Sequence, residues 1–146
     1  MGVYFRDVDF SDPSVREQME SYVSELAAMP YAGKNEPFEF WLRDFNDFVS
    51  KDEGASLQNL PFEEQIKLFL EDPVNYDAHR DSIVLDENGV MTASRTLIRL
   101  NNMDEEDVVE TVDVLELQRS ISASQPINQG LDDWAFMSFS EDFYIW

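Results

Sequence analysis

Apolar residues recur along the chain at two different spacings, and the change from one to the other marks the elements. Gly2 to Val8 is short, aromatic and β-branched, and it stops at a cluster of Asp, Ser, Asp and Pro, so it reads as a first strand. Asp12 stands where an N-cap is needed, and Pro13 takes the first helical position, where a missing N–H costs nothing. Val15, Met19, Tyr22, Leu26 and Met29 then fall on one face at spacings of four and three, which predicts a helix ended by Pro30.

Phe38, Trp41, Leu42, Phe45 and Phe48 or Val49 again share a helical face, predicting a second helix over 37–51. Leu60-Pro61 restarts the chain. Phe62, Ile66, Phe69 and Leu70 make a third, shorter helix that ends near Asp72-Pro73, and residues 74–81 read as polar and irregular. Residues 82–86 and 90–100 are β-rich runs on either side of Glu87-Asn88-Gly89, where Asn-Gly supplies the positive φ values of a tight hairpin. Asn102, with Glu105 three residues on, predicts the cap of a last helix through Val108 to Ile121. The acids at 104–107 suit the positive end of its dipole. Residues 134–140 alternate weakly around Phe136 and read as a closing strand.

With the two middle helices set aside, the order is strand, helix, strand, strand, helix, strand. That pattern predicts an α+β fold, a ferredoxin-like βαββαβ sandwich with helices on one face of four antiparallel strands. Residues 1–146 form one domain in this reading, with a helical insertion after the first helix at about 31–81. The strand holding Arg95 and Arg99 is expected beside the one holding Asp7, which puts opposite charges on neighbouring strands.

Composition narrows the function. The 146 residues hold 31 Asp+Glu against 10 Lys+Arg, a net charge of −21, yet also 11 Phe, 5 Tyr and 3 Trp. That much bulky apolar surface offsets the entropy of folding, so the chain reads as globular despite its charge. The charge excludes nucleic acid as a partner and excludes docking through a polybasic patch on an anionic membrane. No cysteine is present, which removes a disulfide framework, thiolate metal sites and a Cys nucleophile together. No apolar run of about 18 residues and no basic-then-apolar leader occurs, so the chain itself reads as soluble.

Little in the chain points to catalysis. His79 is the only histidine, and Tyr76-Asp77-Ala78-His79-Arg80-Asp81 reads as a charged, solvated loop. There is no Gly-rich phosphate loop, His-Glu-x-x-His or Gly-x-Ser-x-Gly. Asp7-Val-Asp9-Phe-Ser11-Asp12 begins like a calcium loop but lacks Gly at the sixth position and has Gln18 at the twelfth, so a strand end and helix cap is the better reading. The expectation is a protein that is not an enzyme, with no catalytic residue, cofactor or metal.

The segment from Phe38 to Phe48 has two readings: a helix facing the core, or an apolar face offered to a lipid or partner domain. On the second reading Trp41, Phe45 and Phe48, together with the terminal Phe143, Tyr144 and Trp146, are the candidates for a partner- or lipid-facing surface.

Four stretches carry a resemblance to a known family. They are Val3-Tyr-Phe-Arg-Asp-Val-Asp-Phe with its following helix, Phe40-Trp41-Leu42-Arg43-Asp44-Phe45, Ala93-Ser94-Arg95 leading into an acid-capped helix, and Phe143-Tyr144-Ile145-Trp146. In this order they resemble the second extramembrane loop of Patched, Dispatched and Niemann-Pick C1-like proteins, eukaryotic relatives of the resistance-nodulation-division permeases. The resemblance implies a ferredoxin-like sandwich with helical insertions, on the extracellular or lumenal side of a membrane, in a protein that transports or senses sterols or other lipids. It implies a part in the lipid path, with the sister extramembrane loop and the transmembrane helices of a parent chain as partners. It also implies that the sequence is an excised loop. Such loops often carry disulfides and glycans, whereas this chain has no Cys and no Asn-x-Ser/Thr. The alternative is a free-standing acidic protein-interaction domain with no membrane partner.

Overall fold

The first strand, β1 (Gly2–Arg6), pairs on one side with β3 (Met91–Leu97) and on the other with β4 (Phe136–Phe139). The short β2 (Ile83–Leu85) completes the sheet beside β3, so the order is β2-β3-β1-β4 and every neighbouring pair is antiparallel. The computed structural model describes residues 1–30, 32, 38–52, 56–100 and 107–139. Between β1 and β2 run α1 (Pro13–Ala27), α2 (Trp41–Ser50), α3 (Phe62–Glu71) and α4 (Pro73–His79), and α5 (Val108–Ser124) links β3 to β4. The result is an α+β protein built on one four-stranded antiparallel sheet.

Helix α1 forms where the pattern requires. Asp12 accepts from the N–H of Ser14, Pro13 opens the helix, and Val15, Met19, Tyr22, Val23 and Leu26 are buried. Its inward face lies on the sheet: the Tyr22 ring stands edge-on to Phe5 of β1 at 6.2 Å and stacks on Phe136 of β4 at 5.7 Å. Helix α5 takes the same side, with Ser122 Oγ 3.5 Å from Ser138 Oγ of β4 and 2.6 Å from Tyr22 Oη. This face of the sheet, carrying Val3, Phe5, Ile83, Ser94, Thr96 and Phe136, is therefore the covered one.

Helices α2, α3 and α4 extend that core. Trp41 and Phe45 are interior, with 0% and 2% exposure, because α3 brings Phe62 and Phe69 to 5.5 and 5.7 Å of the Phe45 ring. Phe48 is half-buried against Phe69 at 5.6 Å. The expectation that Trp41 and Phe45 face a lipid or a partner is thus corrected. The inserted helices cover one another, and their aromatic residues join the same cluster as Val3 and Phe5.

Four further expectations are revised. Residues 73–79 are helical, since Asp72 caps Val74 N and Pro73 opens the turn in the same Asp-Pro arrangement that starts α1. The hairpin takes a positive φ at only one residue of Asn88-Gly89. Gly89 has φ +80 while Asn88 does not take a positive φ, and Gly89 N donates to Asp86 O while Asp86 N donates to Val90 O. This is a type I turn closed by a glycine bulge. Helix α5 is capped by Asp107, whose carboxylate accepts from Val109 N and Glu110 N, whereas the expected cap Asn102 and its partner Glu105 lie outside the described residues. Finally, β1 and β3 are adjacent as expected, but Arg95 stands opposite Tyr4, and Asp7 sits beyond the ladder at φ 55.

Candidate functional site

Side chains alternate across a strand, so the pairing register also defines the face that the helices leave uncovered. Across that face Val84, Ala93 and Arg6 form one row, Arg95, Tyr4 and Met137 a second, and Leu97, Gly2 and Phe139 a third. Leu97 is 59% exposed and Val84 53%, while Tyr4, Met137 and Phe139 are half-buried. An antiparallel sheet tolerates one solvated face, but that face is normally polar. Here it is apolar and aromatic.

Two features shape this surface. Tyr4 lies flat across Gly2, since a Cβ at Gly2 would meet the Tyr4 ring and hydroxyl at 2.6 Å. Any larger residue at position 2 would lift the ring off the sheet. The charges are also inverted relative to the chain as a whole: the paired strand residues of this face include Arg6 and Arg95, both exposed, and no acid, in a protein with 31 acidic residues. In tyrosine, methionine and arginine it holds residue types that are enriched where proteins bind one another. Sequence periodicity alone did not single it out, because the alternation of β1 and β3 assigns residues to two faces without saying which one the helices cover.

Of the six residues expected from sequence to form a lipid- or partner-facing surface, Trp41 and Phe45 are interior and Phe48 is half-buried. Phe143, Tyr144 and Trp146 lie outside the described residues. None of the three described residues is exposed.

His79, expected in a solvated loop, is 1% exposed at the end of α4. Its ring stacks on Phe69 of α3 at 5.8 Å, and its Nε2 lies 2.6 Å from Oδ2 of Asp44 on α2. The pair ties α4 to α2 and α3. Between α1 and α2 an open groove of about 360 Å³ is lined by Pro13, Arg16, Glu17, Glu20 and Asn46. Two of its three charges are engaged: Glu20 receives two nitrogens of Arg43 at 2.8 and 3.0 Å, and Arg16 donates to Phe10 O with its guanidinium over the Phe62 ring. Burial lowers the Arg16 pKa from its ordinary value, against the opposing pull of Asp12 and Asp9.

The acids that begin like a calcium loop are spent locally, Asp9 on Ser11 and Asp12 on Ser14. Among the described residues no group of three or more His, Asp or Glu is placed to hold a metal ion, and no helix is long and apolar enough to cross a membrane. No protein-family model matches the chain, and no curated protein matches it.

Proposed function

We propose that this chain is an extramembrane domain of a membrane permease or receptor that transports or senses sterols or other lipids, of the Patched, Dispatched and Niemann-Pick C1-like kind. It acts through contact and not through catalysis, on the extracellular or lumenal side. The observation that carries the reading is the strand order β2-β3-β1-β4 with one long helix in each crossover and the extra helices inserted between α1 and β2. This order supports a ferredoxin-like βαββαβ sandwich, the architecture that the sequence resemblance implies. The open, apolar face adds a second line of support, because a domain working inside a larger assembly needs a surface to dock with. Its partners in this reading are the sister extramembrane loop and the transmembrane helices of the parent chain.

The test is the gene and its product. Reading the coding sequence past residue 146 should reveal an apolar stretch of about 20 residues close behind it. The protein expressed from the whole gene should then remain with membranes through a high-salt wash. A product that is fully released into the soluble fraction overturns the reading and favours a free-standing acidic interaction domain.

A further inference from the structure

Asn88-Gly89 is the only Asn-Gly pair in the chain, and it lies in the turn between β2 and β3 with Asn88 exposed to water. A side-chain amide followed by a residue without Cβ is chemically weak, because the next main-chain nitrogen meets no steric hindrance on its way to the amide carbon. The turn opposes that approach. Gly89 N, the nucleophile, donates to Asp86 O at 3.0 Å, and Oδ1 of Asp86 accepts from Asn88 N at 2.8 Å and from Val90 N at 3.0 Å. In a type I turn ψ of Asn88 is about 0°, which leaves Gly89 N turned away from the Asn88 side chain. Bringing the two together rotates the Asn88 Cα–C bond and breaks the Gly89 bond to Asp86 O. The same hairpin is built to open: β2 is a three-residue strand at the edge of the described sheet, and its register shifts between Val84 and Leu85, beside the turn.

We propose that Asn88 is a site of spontaneous deamidation, held back by the Asp86 clamp and released when the β2–β3 hairpin opens. In the opened turn Gly89 N gives its proton to solvent base and bonds to Cγ of Asn88. The Cγ–Nδ2 bond breaks, and the nitrogen leaves as ammonia with a proton from water. Water then adds to one of the two carbonyl carbons of the cyclic imide and breaks that carbon's bond to Gly89 N. Addition at Cγ gives aspartate on the ordinary main chain. Addition at the main-chain carbon gives isoaspartate, joined to Gly89 through Cγ. Either product sets a third acid in a row after Asp86 and Glu87. The isoaspartyl product also puts one more atom into the main chain inside the turn, so the fit of Gly89 N to Asp86 O is lost. This proposal goes beyond the membrane reading and does not depend on it.

The test is incubation of the whole protein in mildly alkaline buffer, with and without denaturing urea, followed by mass mapping of the fragment that holds residues 82–92. In urea the wild type should convert at Asn88 before any other asparagine and give both products. The folded protein should convert there at least about tenfold more slowly, since the reactive conformer is then a minor state. Asp86→Ala removes the two hydrogen bonds of the clamping carboxylate and should convert about fivefold or more faster than wild type when folded. Asp86→Asn keeps an acceptor oxygen and removes the charge, and it should stay near the wild-type rate. The purified isoaspartyl form should have a lower urea midpoint than Asn88→Asp, which keeps the ordinary main chain. No conversion at Asn88 in urea overturns the site. A folded wild type that converts as fast as the unfolded chain overturns the gate, and so does an Asp86→Asn variant as fast as Asp86→Ala, which would assign the rate to charge. Equal midpoints overturn the loss of fit in the turn.

Discussion

Nε2 of His79 and Oδ2 of Asp44, 2.6 Å apart and 35 residues apart in sequence, join the end of α4 to the first turn of α2, with the imidazole stacked on Phe69 of α3. One buried side chain thereby holds all three helices between α2 and α4 in register. Replacing His79 by Ala removes both the stacking and the hydrogen bond and leaves a cavity, at an expected cost of about 2–4 kcal/mol. Asp44 is about half exposed, so Asp44→Ala lets water approach Nε2 and should cost about 1 kcal/mol. Urea midpoints at constant m-value check the order; an Asp44→Ala variant as unstable as His79→Ala would show that the hydrogen bond, and not the packing, dominates.

Tyr22 gives a pH prediction with a definite sign. Burial raises its pKa above the ordinary value, against the lowering effect of its hydrogen bonds to Ser122 and Ser138. A phenol whose folded pKa lies above its unfolded one contributes stability that is complete below the unfolded value, about 10, and is lost as the pH rises toward the folded value. The wild type should therefore lose stability above about pH 10 more steeply than Tyr22→Phe, which carries no ionisable group there. Near neutrality the same variant should be less stable by about 1 kcal/mol for the lost bond to Ser122 Oγ. Parallel slopes for the two proteins in alkaline denaturation curves would contradict the assignment.

At the hairpin, the two residues of Asn88-Gly89 should behave differently. Gly89 sits at φ +80, so Gly89→Ala forces a side chain into the left-handed region and should cost about 1 kcal/mol. Asn88 is in an ordinary conformation with only its backbone N–H bound to Asp86, so Asn88→Ala should stay within about 0.5 kcal/mol of wild type. Thermal melts of the two variants distinguish this turn from one that needs a positive φ at both positions.

The excess of acid should be visible in the response to salt. Arg43 pairs with Glu20, and Arg80 makes a long contact with Asp81. With 31 acids against 10 Lys and Arg, most of the negative charge has no base to pair with, and moderate salt should raise the melting temperature. A flat or falling response would mean that bound cations or further pairing already offset it.

Local signals in the sequence found every strand and all but one of the helices. The Asp-Pro start of α1 and the stripe from Val15 to Leu26 state both a cap and a buried face, and these held. The same Asp72-Pro73 signal starts α4, but the polar residues behind it read as loop, because nothing local says that His79 will be folded under α3. The stripe of Trp41 and Phe45 was legible as apolar and its destination was not. Whether such a stripe faces solvent or core depends on Phe62 and Phe69 arriving from another helix. That one face of the sheet stays open follows from placing the helices on one side, but the residues that stand on it do not, since register and helix placement are long-range facts. Tyr4 and Arg95 become neighbours only when two strands about ninety residues apart are paired.

The central place of β1 has a consequence in time. It is made well before its two partners among the described residues, β3 and β4, which lie at residues 91–97 and 136–139. The hairpin of β2 and β3 is local and closes quickly, whereas β1 must wait, with Val3 and Phe5 uncovered, until residues 91–97 follow it. During that interval α1 is the nearest apolar surface available to it, and the strand is the part of the molecule most exposed to mispairing with other chains. A chain cut short anywhere before residue 91 has a central strand with no ladder to join.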